Sequence, residues 1–533
     1  MKTTAQVVAE MLYEEGIRNA FGIPGGEVAE MVEALRQVGI EFVLVKHEAV
    51  AAFIADAYGQ ITGRPGLCVS TAGPGATNLV SGIANAYLDR SPVIAMSATA
   101  PRGLQATFTH QVLDLDALFK PITKWNAEIT PDNVVDVVSR ALKITTSERP
   151  GPVHLALPAD VARLPAQIDE ARPWAPSNAL PLASHSSQQL EPVADMVANS
   201  QHPVVLVGLT AHRSGVSEEI TRLVERLHSP VISSPKAKGT FPEDHPLAVA
   251  VVDMAGWKVS MQMLEKADLV IAVGFDPVEL CSPWSLPVPL IHIDTVPNED
   301  EIYRSSLEVV GDIKAIMTGL LEIVPDQPGW NAKDIEQWKA RIEVAVCPRE
   351  QGLTPWYALR SLRQILPADG IVTVDVGAHK QLAGQIWEAY RPYTFFNSNG
   401  LSSMGYAFPA AIAVKLTMPE RDVVCITGDG GFSMVLPDLE TAARLGLSLV
   451  TLVLNDNCLS LIRIAQRRRG LPVIGVNSLP IDFARVAEGF GAKGLTVRRR
   501  EAYVPAVREA LSSEGPVVVD VHLESRFFDE AEV

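Results

Sequence analysis

Residues 421–458 read RDVVCITGDGGFSMVLPDLETAARLGLSLVTLVLNDNC, and their pattern decides the fold. Val423 to Thr427 is a short apolar run rich in β-branched residues, as a buried strand requires. Gly428-Asp429-Gly430-Gly431 follows as a flexible turn whose backbone can approach a ligand closely. From Ser433 to Leu445 the apolar residues Met434, Leu439, Ala442 and Ala443 keep helical spacing, and Gly446 stops the helix. Leu447 to Leu454 is a second buried strand, ending at Asn455-Asp456-Asn457. Strand, helix and strand of this length form a right-handed unit with parallel strands. Asp429 and Asp456, 27 residues apart in the chain, are thereby expected on one carboxyl edge, where open α/β sheets bind ligands. Two carboxylates, N–H groups at Gly430 and Gly431 and a helix N-terminus describe a site for Mg2+ bound to a diphosphate.

The same alternation runs outward through the chain. At 533 residues it is too long for one core and divides into about three domains. In residues 1–170, Val7, Leu12 and Ile17 open a helix and strand that lead to the tight loop Phe21-Gly22-Ile23-Pro24-Gly25-Gly26. Phe42 to Val45, Leu67 to Thr71 and Pro92 to Ala98 are strands, and Ala49 to Ile61 is a helix of small residues suited to close packing. Residues 171–190 are rich in Pro, Ala and Ser and read as a linker. The middle domain, 191–340, holds strands at Val204 to Gly208, Leu269 to Gly274 and Leu290 to Asp294, and a hinge falls at 345–355. The last domain, 355–533, opens with the strand Ile371 to Val376 and a carboxyl-end loop through His379. The expected architecture is α/β, with three Rossmann-like, doubly wound parallel sheets.

Charge and composition narrow the function. A net charge of −17 and a pI near 5.2 argue against a nucleic-acid partner. Arg467-Arg468-Arg469 and Arg498-Arg499-Arg500 read as a solvated helix end and a solvated loop. No 18-residue apolar run and no signal-peptide core occur, so neither a membrane span nor export is expected. The five scattered cysteines lack zinc or redox spacing, and a reducing cytoplasm is the simplest setting.

The stretch from Gly428 to Cys458 resembles the diphosphate-anchoring motif of thiamine diphosphate enzymes, with Asp456 where most relatives carry Asn. FGIPGG at 21–26, KHEAVAAFIADAYGQITGRPG at 46–66 and TAGPGATN at 71–78 resemble the pyrimidine-binding domain of the same class. The resemblance implies Mg2+ held by the Asp429 and Asp456 carboxylates and the Cys458 carbonyl, since a thiol suits so hard an ion poorly. It implies cofactor contacts from Gly25, Gly26, Gly73, Gly428, Gly430, Gly431, His379 and Ser402, with Met404 propping the cofactor into a bent shape. Glu48 matches the residue that hydrogen-bonds N1′ of the aminopyrimidine and promotes loss of the thiazolium C2 proton.

Thr109-His110-Gln111 and the segment 117–124 are similar to acetolactate synthases, and His110-Gln111 to their catabolic branch, as are Val273 to Glu279 and Asn455-Asp456. Gln111 is then expected to reach the reacting intermediate and His110 to line the pocket. Ala465 stands about where the anabolic enzymes carry a Trp that favours 2-ketobutyrate. The implied reaction is decarboxylation of a 2-keto acid, pyruvate, and attack of the resulting carbanion on a second keto acid to give 2-acetolactate. The shared motifs leave open simple decarboxylation or aldehyde carboligation, as in benzoylformate decarboxylases or sulfoacetaldehyde acetyltransferases. A non-catalytic subunit is disfavoured because Glu48, Gln111, Asp429 and Asp456 are all present. No FAD is expected, because Gly208-Leu209-Thr210 and Gly274-Phe275-Asp276 are single-glycine turns and not a dinucleotide fingerprint. The two cofactor halves are expected to meet across a subunit interface, in a homodimer or homotetramer.

Overall fold

The structure is a computed structural model and describes residues 1–104, 106–107, 109–168, 185–284, 286–299, 302–347 and 352–531. Three six-stranded sheets, every strand pair parallel, carry the fold. The first contains β1 (Asn19–Ile23), β2 (Glu41–Leu44), β3 (Gly66–Ser70), β4 (Val93–Thr99), β5 (Trp125–Glu128) and β6 (Val153–Pro158) in the order β2-β1-β3-β4-β6-β5. The second contains β7 (Pro203–Val207), β8 (Val231–Ser233), β9 (Ala248–Val251), β10 (Leu269–Val273), β11 (Leu290–Asp294) and β12 (Leu307–Val310), ordered β12-β11-β10-β7-β8-β9. The third contains β13 (Ile371–Val374), β14 (Phe395–Asn397), β15 (Val423–Gly428), β16 (Val450–Asn455), β17 (Lys493–Val497) and β18 (Val517–His522), ordered β14-β13-β15-β16-β18-β17.

The first and third sheets are thus wound identically: the first strand of each lies between its second and third. In both, the chain reverses direction between that first and third strand, which makes β1/β3 and β13/β15 the topological switch points. The middle sheet reverses between β7 and β10. Strands buried on both faces explain the continuous apolar runs, and burial of every residue in Gly66–Ser70, Pro203–Val207 and Val450–Asn455 shows the same.

Helix Glu48–Thr62 packs between Pro74–Leu88 of its own sheet layer and Ala407–Thr417 of the third, so one core joins the first and third units. Its Ala51, Ala52, Ala55 and Ala57 are fully buried there, and Phe53 meets Tyr406 edge to face at 5.9 Å. Intrachain packing therefore accounts for the small residues of this helix. All three units meet at Lys236, whose buried ammonium donates to Gln60 Oε1 (2.9 Å), Asp89 Oδ2 (3.2 Å) and the Asn397 carbonyl (3.1 Å).

Several elements differ from their sequence reading. The helix expected from Ser433 to Leu445 begins at Asp429, runs to Val435, tightens into a 3-10 turn at Leu436–Asp438 and resumes as Leu439–Arg444. Pro437 has no N–H to continue the ladder, which sets the break. Gly430 and Gly431 are therefore helical and not a turn. The loop expected through His379 ends at Gly377, and helix Ala378–Ile386 carries His379. The linker drawn to residue 190 stops earlier, because helix Ser187–Ala198 starts with a Ser186/Gln189 capping box; residues 169–184 of it lie outside the described residues, as do 348–351 of the hinge. Arg500 opens helix Arg500–Leu511 and is not in a loop.

Candidate functional site

At the switch point of the third sheet, Gly428 closes β15 and caps helix Asp429–Val435 with extended backbone, leaving Asp429 as the first helical residue. The Asp429 carboxyl is largely buried, which raises its pKa, while the N–H groups of Asp429, Asp456 and Gly430 pull it back. Asp456 follows β16 at the same edge and accepts the Ser460 hydroxyl. Burial pushes Asp456 up to about 7, and the neighbouring Asp429 charge adds to the shift. Two adjacent, desolvated carboxylates that repel each other form a donor set that a hard divalent cation relieves. The Cys458 carbonyl accepts the Ser460 N–H at 2.8 Å and retains a second lone pair. Among the described residues no group of three or more His, Cys, Asp or Glu side chains could hold a metal ion.

Glycines shape the floor of this edge. A Cβ at Gly377 would lie 2.7 Å from His379 Cε1 and one at Gly428 3.1 Å from it, so the imidazole is wedged between two residues without side chains. Burial pushes His379 down to about 4, and its buried Nε2 has no hydrogen-bond partner. A neutral imidazole with an unsatisfied nitrogen beside a helix N-terminus is suited to a polar ligand. Gly430 is roofed by Leu459 and Met404, whose Cδ2 and Cε would lie 2.8 and 3.2 Å from an added Cβ. Ser402 has φ +54°, the left-handed region where glycine costs least, and its hydroxyl donates to the Asn399 carbonyl at 2.8 Å.

Asp375 organises this half, and the sequence reading missed it. Its buried Oδ1 accepts N–H groups of Val376 (2.9 Å), Gly405 (2.9 Å) and Tyr406 (3.2 Å), and its Oδ2 accepts the Thr427 hydroxyl (2.9 Å). It thereby ties the end of β13 to the Met404 loop and to the end of β15. A Cβ on Gly431 would overlap Asp375 Oδ2, which gives that glycine its reason. An acid two residues before Gly377 at a strand end was the available signal. Arg463 borders the edge: it donates to Cys458 Sγ (3.7 Å), to the Ser525 carbonyl (2.6 Å) and to Asp529 Oδ1 (3.1 Å), and its charge opposes the rise of the Asp456 pKa.

The first sheet presents a second cluster at its own switch point. Glu48 is the first residue of helix Glu48–Thr62, capped by His47, and is 5% exposed. Its Oε2 accepts from Asn78 Nδ2 at 2.9 Å. Gly75 lies under it, since a Cβ there would sit 2.9 Å from Thr71 Cγ2 and 3.2 Å from Glu48 Oε1. Gly73, at φ +60°, abuts Gln111, whose Cβ would lie 2.8 Å from an added one. Gln111 is half-buried with φ +60°, His110 is exposed, and Gly26 faces open space. Thr71 donates to Glu27 Oε2 at 2.6 Å and borders Gly25. Glu27, Thr71 and Asn78 were not singled out from sequence, although all three fall inside or next to the quoted glycine motifs.

Among the described residues no hydrogen bond or ion pair links Glu48, Gly73 or Gln111 to His379, Asp429 or Asp456. The chain instead clamps the two halves beside the clusters, through Lys46 N–H to Asp438 Oδ1 (2.9 Å) and Lys46 to Glu440 (2.7 Å). Around the third-sheet edge Met434, Ile474 and Leu479 are 62%, 70% and 85% exposed. No helix among the described residues is long and apolar enough to cross a membrane.

Comparison with known proteins follows the three sheets. Residues 2–118, 190–320 and 375–521 match the N-terminal TPP binding domain, the central domain and the C-terminal TPP binding domain of the thiamine pyrophosphate enzymes. The chain is 33% identical to a probable acetolactate synthase large subunit of Methanocaldococcus jannaschii, over 97% of this chain and 91% of that one. It is 31% identical to a catabolic acetolactate synthase of Raoultella terrigena (98% and 95% covered) and 30% identical to an acetolactate synthase of Bacillus subtilis (97% and 92% covered). The chain belongs to the thiamine pyrophosphate enzymes and stands close to the acetolactate synthases.

Proposed function

We propose that this enzyme decarboxylates pyruvate and joins the remaining two-carbon unit to a second 2-keto acid, giving 2-acetolactate, with thiamine diphosphate and Mg2+ as cofactors. The observation that carries the reading is the pairing of two complementary clusters on identically wound sheets, one suited to a metal diphosphate and one carrying a buried carboxylate. The residues fit the cofactor: His379 Nε2 is buried without a partner, and its ring packs against Gly428 at the N-terminus of helix Asp429–Val435. Thiamine diphosphate, when bound, supplies the nucleophilic carbon and the electron sink. Asp429, Asp456 and the Cys458 carbonyl hold Mg2+, and Gly428, Gly430 and Gly431 bring main-chain groups to the diphosphate. Met404 and the Ser402 backbone support the cofactor's middle, and Gly25, Gly26 and Gly73 admit its ring. Glu48, held by the Asn78 amide at 2.9 Å, would be the group that shares a proton with the aminopyrimidine of a bound cofactor. Gln111, packed against Gly73, would reach the reacting intermediate, and His110 would line the pocket.

We assign the chain to the catabolic type, acting in the cytoplasm, with domains at 1–170, 191–340 and 355–533. The active sites lie between subunits of a homodimer or homotetramer, a reading supported by the exposed apolar residues Met434, Ile474 and Leu479 at the third-sheet edge. FAD is not part of this reading. At the β7/β10 switch point, Glu279 accepts the Leu209 N–H (2.9 Å) and the Asp276 N–H (3.0 Å), so the chain's own carboxylate fills the crevice where a dinucleotide phosphate would sit. Gly208 and Gly274 are in tight backbone contact there. A purified protein with a flavin absorbance band would refute this point.

The deciding experiment supplies pyruvate with and without thiamine diphosphate and Mg2+, and follows CO2 release and products by NMR. CO2 and 2-acetolactate that require both cofactors are expected. CO2 with only an aldehyde product would leave a simple decarboxylase, and no CO2 would refute the reading. A panel of 2-keto acids and aldehydes then defines the acceptor.

A further inference from the structure

A cleft of about 540 Å3 opens between the middle and third units, and none of the residues assigned above to cofactor or substrate lines it. Its walls are the edge strand Ala248–Val251 and its neighbour Val231–Ser233, helix Ala332–Val346, and helices Pro355–Ile365 and Ala378–Ile386. A volume of this size lies in the range of small-molecule sites. Arg363, 8% exposed, and Trp387, 1% exposed, are part of the lining. Arg363 Nη2 donates to the carbonyls of Leu366 (2.6 Å) and Pro367 (2.5 Å), which caps the end of its helix. Its Nε and Nη1, and Trp387 Nε1, are buried without a hydrogen-bond partner. Among the described residues of the lining these are the only buried polar side-chain atoms left so, and all three are N–H donors. The rings of Trp387 and Tyr390 lie 4.6 and 4.7 Å from Arg363 Cζ; their faces stabilise the cation but offer no lone pair to its N–H groups.

The charges around the cleft point the same way. Lys238 is held by Glu243 at 2.7 Å, and Arg360 by Glu343. That leaves Arg363 and Lys339 against Glu388, an exposed carboxylate that accepts the Tyr390 hydroxyl at 2.9 Å. Burial pulls the pKa of both Arg363 and Lys339 down, so each cation is short of the water or acceptors that would solvate it. Orphaned donors on a wall with an excess of positive charge select an anionic oxygen. The lining also holds Val231, Val249, Ile342 and Val346, an apolar surface for the rest of a ligand. We propose that this cleft binds an anionic small molecule with an apolar body, its carboxylate or phosphate seated on Arg363, Trp387 and Lys339. The site is separate from the diphosphate end, where His379 begins the same helix, Ala378–Ile386, whose other end meets the cleft.

The test titrates the full chain, in the presence of saturating thiamine diphosphate and Mg2+, with octanoate and with AMP in separate calorimetric experiments. At least one of the two should bind once per chain; octanoate alone identifies a carboxylate ligand, AMP alone a phosphate ligand. Octanamide and adenosine keep the same bodies without the charge and should bind at least about tenfold more weakly, the scale of one hydrogen bond to a charged group. Two variants leave the helix cap made by Arg363 in place. K339Q alters a half-buried side chain whose hydrogen bond to the Pro246 carbonyl is long, at 3.4 Å, and W387F removes the orphaned indole N–H while an aromatic ring stays. Each should weaken binding of the anion by about tenfold. Binding that neither variant weakens would place the anion elsewhere and overturn the proposal. Equal binding of the uncharged analogues would overturn it as well, and so would the absence of binding by both octanoate and AMP.

Discussion

A residue acts here through the few atoms that touch it. Glu48 is held by Asn78 and buried at a helix start, a geometry that suits sharing one proton with a ring nitrogen. Glu48→Gln should lower turnover by about 10²–10⁴, the usual scale for lost acid–base catalysis, while the protein still binds cofactor. NMR exchange of the cofactor C2 proton reads this directly, and an unchanged rate would remove the role. Asp456→Asn should keep metal-dependent activity, because the amide oxygen replaces a carboxylate oxygen and the repulsion with Asp429 disappears. Mg2+ binding abolished in Asp456→Asn, read by titrating the metal back after chelation, would show that the position was misassigned. Asp429 could be singled out in sequence because it sits at a strand end among glycines, and Glu48 and Asp456 because KHEAV and NDN, each near a strand end, resemble the family's motifs. Asp375 and Glu27 left only a weak signal, a place beside a glycine motif, because the groups that define them, Gly405, Thr427 and Thr71, are 30, 52 and 44 residues away.

At the scale of elements, the strands were legible and the helix starts were not. Buried parallel strands appear as unbroken apolar runs, which local pattern reports well, except where they are as short as Val231–Ser233 or half-exposed like Leu307–Val310. Helix Asp429–Val435 was misread because glycine pairs suggest a turn, whereas Gly431 is there to let the helix lie against Asp375. Gly431→Ala tests that explanation. Its Cβ would overlap Asp375 Oδ2, and the helix or the Met404 loop must shift. A destabilisation of about 1–3 kcal/mol is expected, the usual cost of overpacking a full core, with weakened cofactor affinity. Urea denaturation and cofactor titration measure the two effects. A variant as stable as the parent and binding as tightly would show that the glycine is a turn residue only.

For the molecule as a whole, the repeated strand order is the fact that sequence could not show. Strand order depends on contacts between distant segments, and only the assembled sheets reveal that the first and third units are wound alike with their clusters at matching switch points. In the proposed enzyme these two clusters serve one cofactor, each chain lending one half to its partner. Two-fold symmetry then creates two equal sites per dimer. Glu48→Gln and Asp429→Ala each inactivate one half. After the two variants are dissociated, mixed and reassociated, a mixed dimer has one site carrying both lesions and one carrying neither. With random pairing half the dimers are mixed, so roughly a quarter of the parental activity should return. Verified mixed dimers that stay as inactive as either variant alone would contradict the account.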